Sequence, residues 1–269
     1  MVDGPHILGV DAAWTFGEPT GIALVSKSSK GWSCQAVAPS YASFRALADG
    51  ASVDWSDKPI GEHPRSRELV ESAAKIAGGS IDVVAVDMPV AKEPFRTRRA
   101  ADNAISKRFG ASWCSAHSPS RERPGEVGQA FSEGLDASHQ LVTTQLEVGV
   151  TPALIEVYPH PALLTLLDIQ KRAPYKASKT GRYWGGKDLL TRGQLLLDQW
   201  HLILGALKKE IDGIDLPIPK VFEPGMTIAG LKRYEDALDA LICAWVGIRF
   251  VKGLCDAYGD DISAIWVPR

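Results

Sequence analysis

The sequence predicts an α/β protein: a mixed sheet in which a three-strand antiparallel meander precedes parallel strands, flanked by helices and carrying a helical insertion. Three observations lead there. Strand-like runs near the N-terminus are joined by short turns, the helical stretch "SRELVESAAKIA" leads from them to a near-continuous apolar run, and a second apolar run follows a long polar stretch.

Each element follows from local chemistry. "HILGVDAAW" reads as a short buried strand closing on Asp11, "FGEPTGIALVSK" turns at Gly-Glu-Pro-Thr-Gly into a second strand, and "GWSCQAVAPS" makes a third. Short connections between successive strands favour antiparallel pairing. Ser66 to Ala77 has helical spacing and stops at Gly78-Gly79, where glycine accepts the left-handed backbone that ends a helix. The run "IDVVAVDMPV" that follows is apolar throughout, as a central strand covered on both faces must be, and it ends in Asp87 and Pro89. A helix between two such strands implies a right-handed crossover and therefore a parallel pair.

Residues from approximately 91 to 150 are polar and helix-compatible, broken by "SPSRERPGEVG". That is long for one crossover, so the stretch reads as a helical insertion over one end of the sheet, within a single domain spanning 1–269. "PALIEVYPHP" is another apolar strand, closing on Glu156 and Tyr158, with His160 in a rigid turn between two prolines. "DLLTRGQLLLDQWHLILGALKKEI" is an amphipathic helix, and "KRYEDALDALICAWVGIRF" turns Leu238, Leu241, Ile242, Trp245 and Val246 toward a core.

Composition narrows the function classes. With 269 residues, 45% hydrophobic and 23% charged, the chain can bury a substantial core, which excludes disordered and fibrous classes. A formal net charge of -2 provides no global positive field for a long nucleic-acid backbone, so any such role must rest on a local patch. The four cysteines stand singly, without the close pairs of zinc sites and redox motifs. The start "MVDGPHILGVD" lacks a basic region followed by a long apolar stretch, and no run approaches membrane-spanning length. A reduced, soluble, cytoplasmic protein is expected.

The acids carry the chemistry. Asp11 and Asp87 end apolar strands, as Glu156 does, and functional groups in open α/β sheets gather beyond the carboxyl ends of strands. Asp236 and Asp239 lie three residues apart on the last helix and share a face that could meet them. Like charges brought together repel one another and pay desolvation, which a divalent cation relieves. Oxygen ligands suit Mg2+ or Mn2+, and paired ions can hold the attacking and leaving oxygens of a phosphoryl displacement. Against this stand blander readings: Asp11 as a turn acid, and Asp236 and Asp239 as helix caps, Asp239 less readily because it lies deeper in the helix. Glu156 either approaches the ions or pairs with a cation of the basic stretch, and His160 either makes a structural hydrogen bond or moves a proton.

The strands "GVDAAW" and "AVDMPV", then "EVYPHP", "YKASKTGR" and "EDALDALICAW", resemble in this order the family numbered 429 among domains of unknown function, whose members are predicted RNase H-like nucleases. The resemblance covers nearly the whole chain. The order of acids is also similar to that of Holliday-junction resolvases in the wider RNase H-like superfamily. It implies an RNase H-like fold, with Asp11 as the first-strand acid, Asp87 as the fourth-strand acid and Asp236 and Asp239 as the helix acids. The implied activity is a divalent-metal-dependent nuclease or phosphodiesterase using Mg2+ or Mn2+, two ions by the supply of carboxylates, on nucleic acid or a small phosphoester.

Two basic surfaces are candidates for the substrate. Lys171 to Lys187 holds Lys176, Lys179 and Arg182 among Tyr175, Tyr183 and Trp184, with no acid in the stretch. It could track phosphates and stack bases, or be a solvated loop. In "RTRRAADNAISKRFG", Arg98, Arg99 and Asp102 resemble a recurrent cluster of the family and could clamp a phosphate. Cys114, Ser115 and His117 are too close in sequence to favour a nucleophile and base. Two rivals to the nuclease remain: a non-catalytic nucleic-acid or protein-binding module on the same fold, and an ATPase or sugar-kinase relative, whose duplicated core and second phosphate loop the sequence does not display.

Overall fold

A computed structural model describes residues 4–91, 95, 97–120 and 122–269. Arg96, at the start of the second basic segment, lies outside the described residues. The meander is present as β1 (His6–Asp11), β2 (Gly21–Ser28) and β3 (Gly31–Ala38), paired antiparallel with Asp11 opposite Gly21. The connection from β1 to β2 is a nine-residue loop, and the Ala13 N–H in it donates to Thr20 Oγ1 at 3.1 Å. Next come α1 (Tyr41–Ala48), capped by the Ser40 side chain, and α2 (Ser66–Ala77), which ends at Gly78 with φ 73°. That positive φ is the left-handed residue predicted for the stop.

β4 (Val83–Val86) runs parallel to β1, as the crossover argument requires. Then follow α3 (Ala100–Phe109), α4 (Glu126–Glu133), the short β5 (Gln140–Leu141) and β6 (Ala153–Val157), which is parallel to β4 and completely buried. α3 lies against the far edge of the sheet, while Gly128 of α4 meets the backbone of Pro89 and Phe131 accepts a hydrogen bond from Ser66 of α2. The chain continues through α5 (Pro159–Leu167), α6 (Thr180–Tyr183), α7 (Leu189–Leu207), β7 (Ile211–Asp212) and α8 (Lys232–Val251). It closes with the hairpin of β8 (Cys255–Gly259) and β9 (Ala264–Pro268).

Among the described residues the strand order is β7-β3-β2-β1-β4-β6-β9-β8, with β5 paired to β6. The fold is therefore a mixed α/β sheet of antiparallel and parallel strands with helices on both faces. α1 and the closing hairpin add to the elements expected from sequence. One expectation needs correction: His160 sits in the first turn of α5, not in a turn between elements, because Pro159 at the first helical position presets the helical φ.

Two layers of core hold the sheet. On one face Leu8, Val10, Val84 and Val86 pack with Phe44, Leu69 and Phe131, and on the other Ile7, Val83 and Ile155 pack with Leu241, Trp245 and Trp200. α8 lies directly on β1 and β2, and glycine permits the approach. A Cβ at Gly9 would stand 2.1 Å from the Ala240 carbonyl oxygen, and one at Gly21 would stand 2.0 Å from that of Asp236. Neither backbone atom can swing aside, so substitution has to push the helix outward. Gly21→Ala is expected to destabilise the fold by about 3 kcal/mol, the upper end of ordinary overpacking costs. Urea unfolding checks this, and an unchanged midpoint would contradict the close contact.

Candidate active site

The helix that glycine draws in brings its charges to the carboxyl ends of β1 and β4. Lys232, Glu235, Asp236 and Asp239 recur at helical spacing on one face of the first turns of α8. Asp236, Glu235 and Asp239 are 3%, 1% and 0% exposed. Helix capping does not account for them, since α8 begins at Lys232 and its N-cap, Leu231, provides no side-chain bond. The Ala13 amide of the loop after Asp11 goes to Thr20 Oγ1 and not to the Asp11 carboxylate.

The acids sense one another. Burial first, then the charge of Asp239, pushes Asp11 well above the usual carboxylate range; Asp236 adds to the rise while Lys176 and Lys232 oppose it. Burial pushes Asp87 up to about 7, with Asp239 and Glu156 adding and Lys176 opposing. Asp236 is pushed up to about 6 by burial, with Glu235 adding and Lys232 opposing. Cys243, one turn beyond Asp239, lies under the cluster; burial and then Asp87, Asp11 and Asp239 drive its thiol well above its ordinary value. Asp11, Asp87 and the acids of α8 therefore lie near enough for their charges to act on one another.

Lysines supply the countercharge. Lys176 Nζ donates to Asp239 Oδ2 at 2.5 Å and lies 3.7 Å from Glu235 Oε1, while Tyr175 Oη donates to Asp239 Oδ1 at 2.7 Å. Lys232 donates to Asp236 and lies 3.2 Å from Glu235. The segment bearing Lys176 is a strut between helices. Its Tyr175 carbonyl accepts from Trp200 Nε1 of α7 at 2.7 Å, and its Ala177 N–H donates to Glu235 Oε2 at 2.5 Å. Ala173, Tyr175 and Ala177 alternate inward, so this part of the basic stretch is packed, whereas Lys179 and Arg182 are exposed. Tyr175, Glu235 and Lys232 were not singled out as site residues from sequence. The recurrence of four charges at helical spacing along a buried helix was the available signal.

Glu156 belongs to a second charge system. Arg99 Nη1 and Nη2 donate to its two oxygens at 2.6 and 2.7 Å, and the Val90 N–H donates to Oε2 at 2.9 Å. Its cation thus comes from the segment before α3, not from the basic stretch. Arg99 also grips Asp102 through Nη2 and Nε at 2.8 and 3.2 Å and reaches the Val90 carbonyl at 3.4 Å, which occupies all five N–H groups. Arg98 is equally committed, to Asn103, the carbonyls of Ala116 and Asp102, Ser118 and Ser106. Both arginines do structural work here and leave no donor for a phosphate clamp.

His160 is buried, edge-on to the rings of Tyr158 and Tyr175 at 5.3 Å in each case, and its Nδ1 has no partner. Burial, reinforced by Lys176, Arg172 and His117, keeps the imidazole neutral. Cys114 is buried and pushed up to about 11 by burial, its Sγ facing the Ser112 carbonyl, an inert arrangement for a thiol. A small open cleft of about 50 Å³ reaches the cluster past Trp14, His117, Tyr158 and Ile265, with Asp87 and Glu156 in its wall.

Among the described residues, no group of three or more His, Cys, Asp and Glu side chains stands together as a ready metal site. Carboxylates with raised proton affinity beside two ammonium groups can exchange protons, hold a cation or bind a polar ligand.

Two outcomes follow. Arg99→Met leaves Glu156 and Asp102 buried without their cation and is expected to cost about 3–5 kcal/mol in chemical unfolding. The pH dependence has a definite sign. Asp87 and Asp236 bind protons more tightly folded than unfolded, so in chelator-treated protein their contribution is complete below about pH 4 and is lost as pH rises through 6 to 7. Asp87→Asn should flatten that fall in Tm between pH 5 and 8. A wild-type and variant pair with identical profiles would contradict the shift.

No curated protein and no solved structure matches the chain. A family model described as "Protein of unknown function (DUF429)" matches residues 9–263, from the middle of β1 to the start of β9, and so takes in all four aspartates. By that match, over nearly its whole length, the chain belongs to the DUF429 family.

Proposed function

We infer that the protein is an RNase H-like, divalent-metal-dependent phosphodiesterase or nuclease, with Asp11, Asp87, Asp236 and Asp239 as its acidic centre. The observation that carries the reading is the approach of the half-buried acids at the ends of β1 and β4, Asp11 and Asp87, to the buried acids of α8. The meander followed by parallel strands in the order β3-β2-β1-β4-β6 supports the fold-level part of it. The donor set fits the metal: carboxylate oxygens are the ligands Mg2+ and Mn2+ take, and a cation would offset the burial and, after it, the like charge that raise Asp11, Asp87 and Asp236. When bound, such an ion supplies Lewis acidity toward a phosphoryl oxygen and acidifies a water.

The chain's own groups do the rest. Tyr175 fixes Asp239 through Oδ1, and Oδ2, which Lys176 holds, is the oxygen that would be offered to a cation. Lys176 would supply positive charge toward the charge that develops at phosphorus. The packed strut holds it within reach of the acids. Asp87, in the wall of the cleft, is the acid of the centre that a ligand entering there meets.

Hydrolysis of bis(p-nitrophenyl) phosphate and labelled oligonucleotides with Mn2+ or Mg2+ tests the reading. Asp11→Asn and Asp87→Asn should each lower turnover about 100-fold or more. Unchanged turnover in both removes these acids from the chemistry. A second test reads stability: Lys176→Met leaves Asp239 without its ammonium and should lower Tm, and Mn2+ should restore part of the loss if the carboxylates are ligands.

The second reading, a non-catalytic binding module, has one observation in its favour. Lys176 and Lys232 are already paired with Asp239, Asp236 and Glu235, so part of the acids' charge is balanced without an ion. It takes the lead if no phosphoester is hydrolysed and Mn2+ leaves Tm unmoved. The sheet has no duplicated half among the described residues, which speaks against the kinase alternative.

A further inference from the structure

Trp113 is held out to solvent at a cost to the fold. It is 66% exposed, the one exposed large aromatic side chain among the described residues. It ends the short turn after α3 with φ 64°, its N–H donating to the Gly110 carbonyl at 2.9 Å and the Cys114 N–H donating to the Phe109 carbonyl at 3.1 Å. Glycine is the residue that ends helical turns in this left-handed conformation without penalty, and a bulky side chain there is an outlier. Strain kept with no burial to offset it points to a use outside the fold.

Two acid-free segments meet at this residue. Residues 103–117 contain no Asp or Glu, and neither do residues 169–187. Lys171 Nζ donates to the Ala111 carbonyl at 2.5 Å and lies 5.2 Å from the centroid of the Trp113 ring, while the Arg172 backbone N–H donates to the Ser112 carbonyl at 2.9 Å. Lys107 and Arg108 are exposed in the last turn of α3, and Lys179 and Arg182 are exposed beyond the strut. None of the four enters an ion pair among the described residues. In a chain whose formal net charge is -2, this is the local positive patch that a polyanion requires.

Both segments run on to the acidic centre. Just after Trp113, Ala116 and His117 line the cleft that has Asp87 in its wall, and Tyr158 Oη fastens this loop to the end of β6 by donating to the Ser115 carbonyl at 3.1 Å. On the other segment Lys176, which follows Lys171, donates to Asp239. At the reach of an extended chain, neither path from the indole to the centre is longer than about 18 Å.

We propose that Trp113, with Lys171 beside it, is a stacking platform for an unpaired base of a single-stranded nucleic acid whose phosphates follow the two acid-free segments toward the acidic centre. An exposed indole recognises the face of a base whatever the sequence, and the free cations take the phosphates. A duplex keeps its base faces covered. The proposal rests on the nuclease reading, within which it selects single-stranded nucleic acid over a small phosphoester, and its test needs no turnover.

Fluorescence anisotropy of a labelled ten-residue oligothymidylate, titrated with the metal-free full chain, provides the test, with a ten-base-pair hairpin duplex and a decaglutamate peptide as comparison probes. Wild type is expected to bind the oligothymidylate more tightly than either. Trp113→Gly should weaken that binding about tenfold or more, the loss expected for one base–aromatic stack, and Trp113→Phe, which keeps a ring, should stay within about threefold of wild type. Because glycine accepts the backbone and the indole is exposed, Trp113→Gly should hold or raise Tm. If Tm falls, Trp113→Leu against Trp113→Phe decides, since both strain the turn and only the second stacks; equal affinity in that pair overturns the platform. Lys179→Gln should reduce the salt slope of binding by about 0.7, and an unchanged slope overturns the phosphate path. No binding of the oligothymidylate to wild type, or equal affinity in wild type and Trp113→Gly, overturns the platform, as does equal or tighter binding of the duplex or the peptide. Binding that depends on Trp113 in a protein that hydrolyses no phosphoester keeps the platform and removes the hydrolase reading. Oligonucleotide hydrolysis with KM unchanged in Trp113→Gly does the reverse.

Discussion

Several carboxylates at one end of a sheet cannot be buried together unless positive charge comes with them, and the structure around this site answers that constraint. Lys176 is held against Asp239 and Glu235, and Lys232 against Asp236 and Glu235. The cost of removing each ion from water is large, so the geometry has to be tight on both sides. That tightness is built from apolar packing. Trp200 of α7 anchors the strut before Lys176, and Gly9 and Gly21 let α8 touch the strands that end in acids. A methyl group at either glycine would separate the carboxylates, and the core that fixes the helix position thereby fixes the electrostatics.

A second buried network keeps the first one in place. Arg99 ties Glu156 at the end of β6 to Asp102 at the start of α3, and Glu156 in turn accepts from the Val90 N–H just past β4. The segment between β4 and α3 is therefore fastened to the sheet beside Asp87. This arrangement consumes Arg98 and Arg99 and keeps the two charge systems apart: one holds the walls, while Lys176 and Lys232 face the acids of α8.

Much of the architecture was legible because it is written in local chemistry. The strand ending in Asp11, the Gly78 stop, the doubly covered strand before Asp87 and the parallel pairing with β1 all follow from periodicity, turn residues and the handedness of crossovers. The acids at strand ends and on the last helix were identifiable because each stands in an apolar setting that does not explain it. The short helix Tyr41–Ala48 and the closing hairpin were harder to read, since the first is brief and the second takes part of its meaning from the sheet edge it completes.

Which charge meets which was not local, and the tertiary structure decided it. Nothing along the chain tells that Glu156 pairs with Arg99, 57 residues away, and not with the basic stretch, or that Lys176 turns inward while Lys179 and Arg182 face water. The sequence by itself determined the elements, their order and the supply of carboxylates, because propensity, periodicity and capping act over a few residues. The packing of α8 on β1 and β2 determined which of those carboxylates act on one another, because Coulomb interaction and desolvation depend on distances in space that only the folded chain defines.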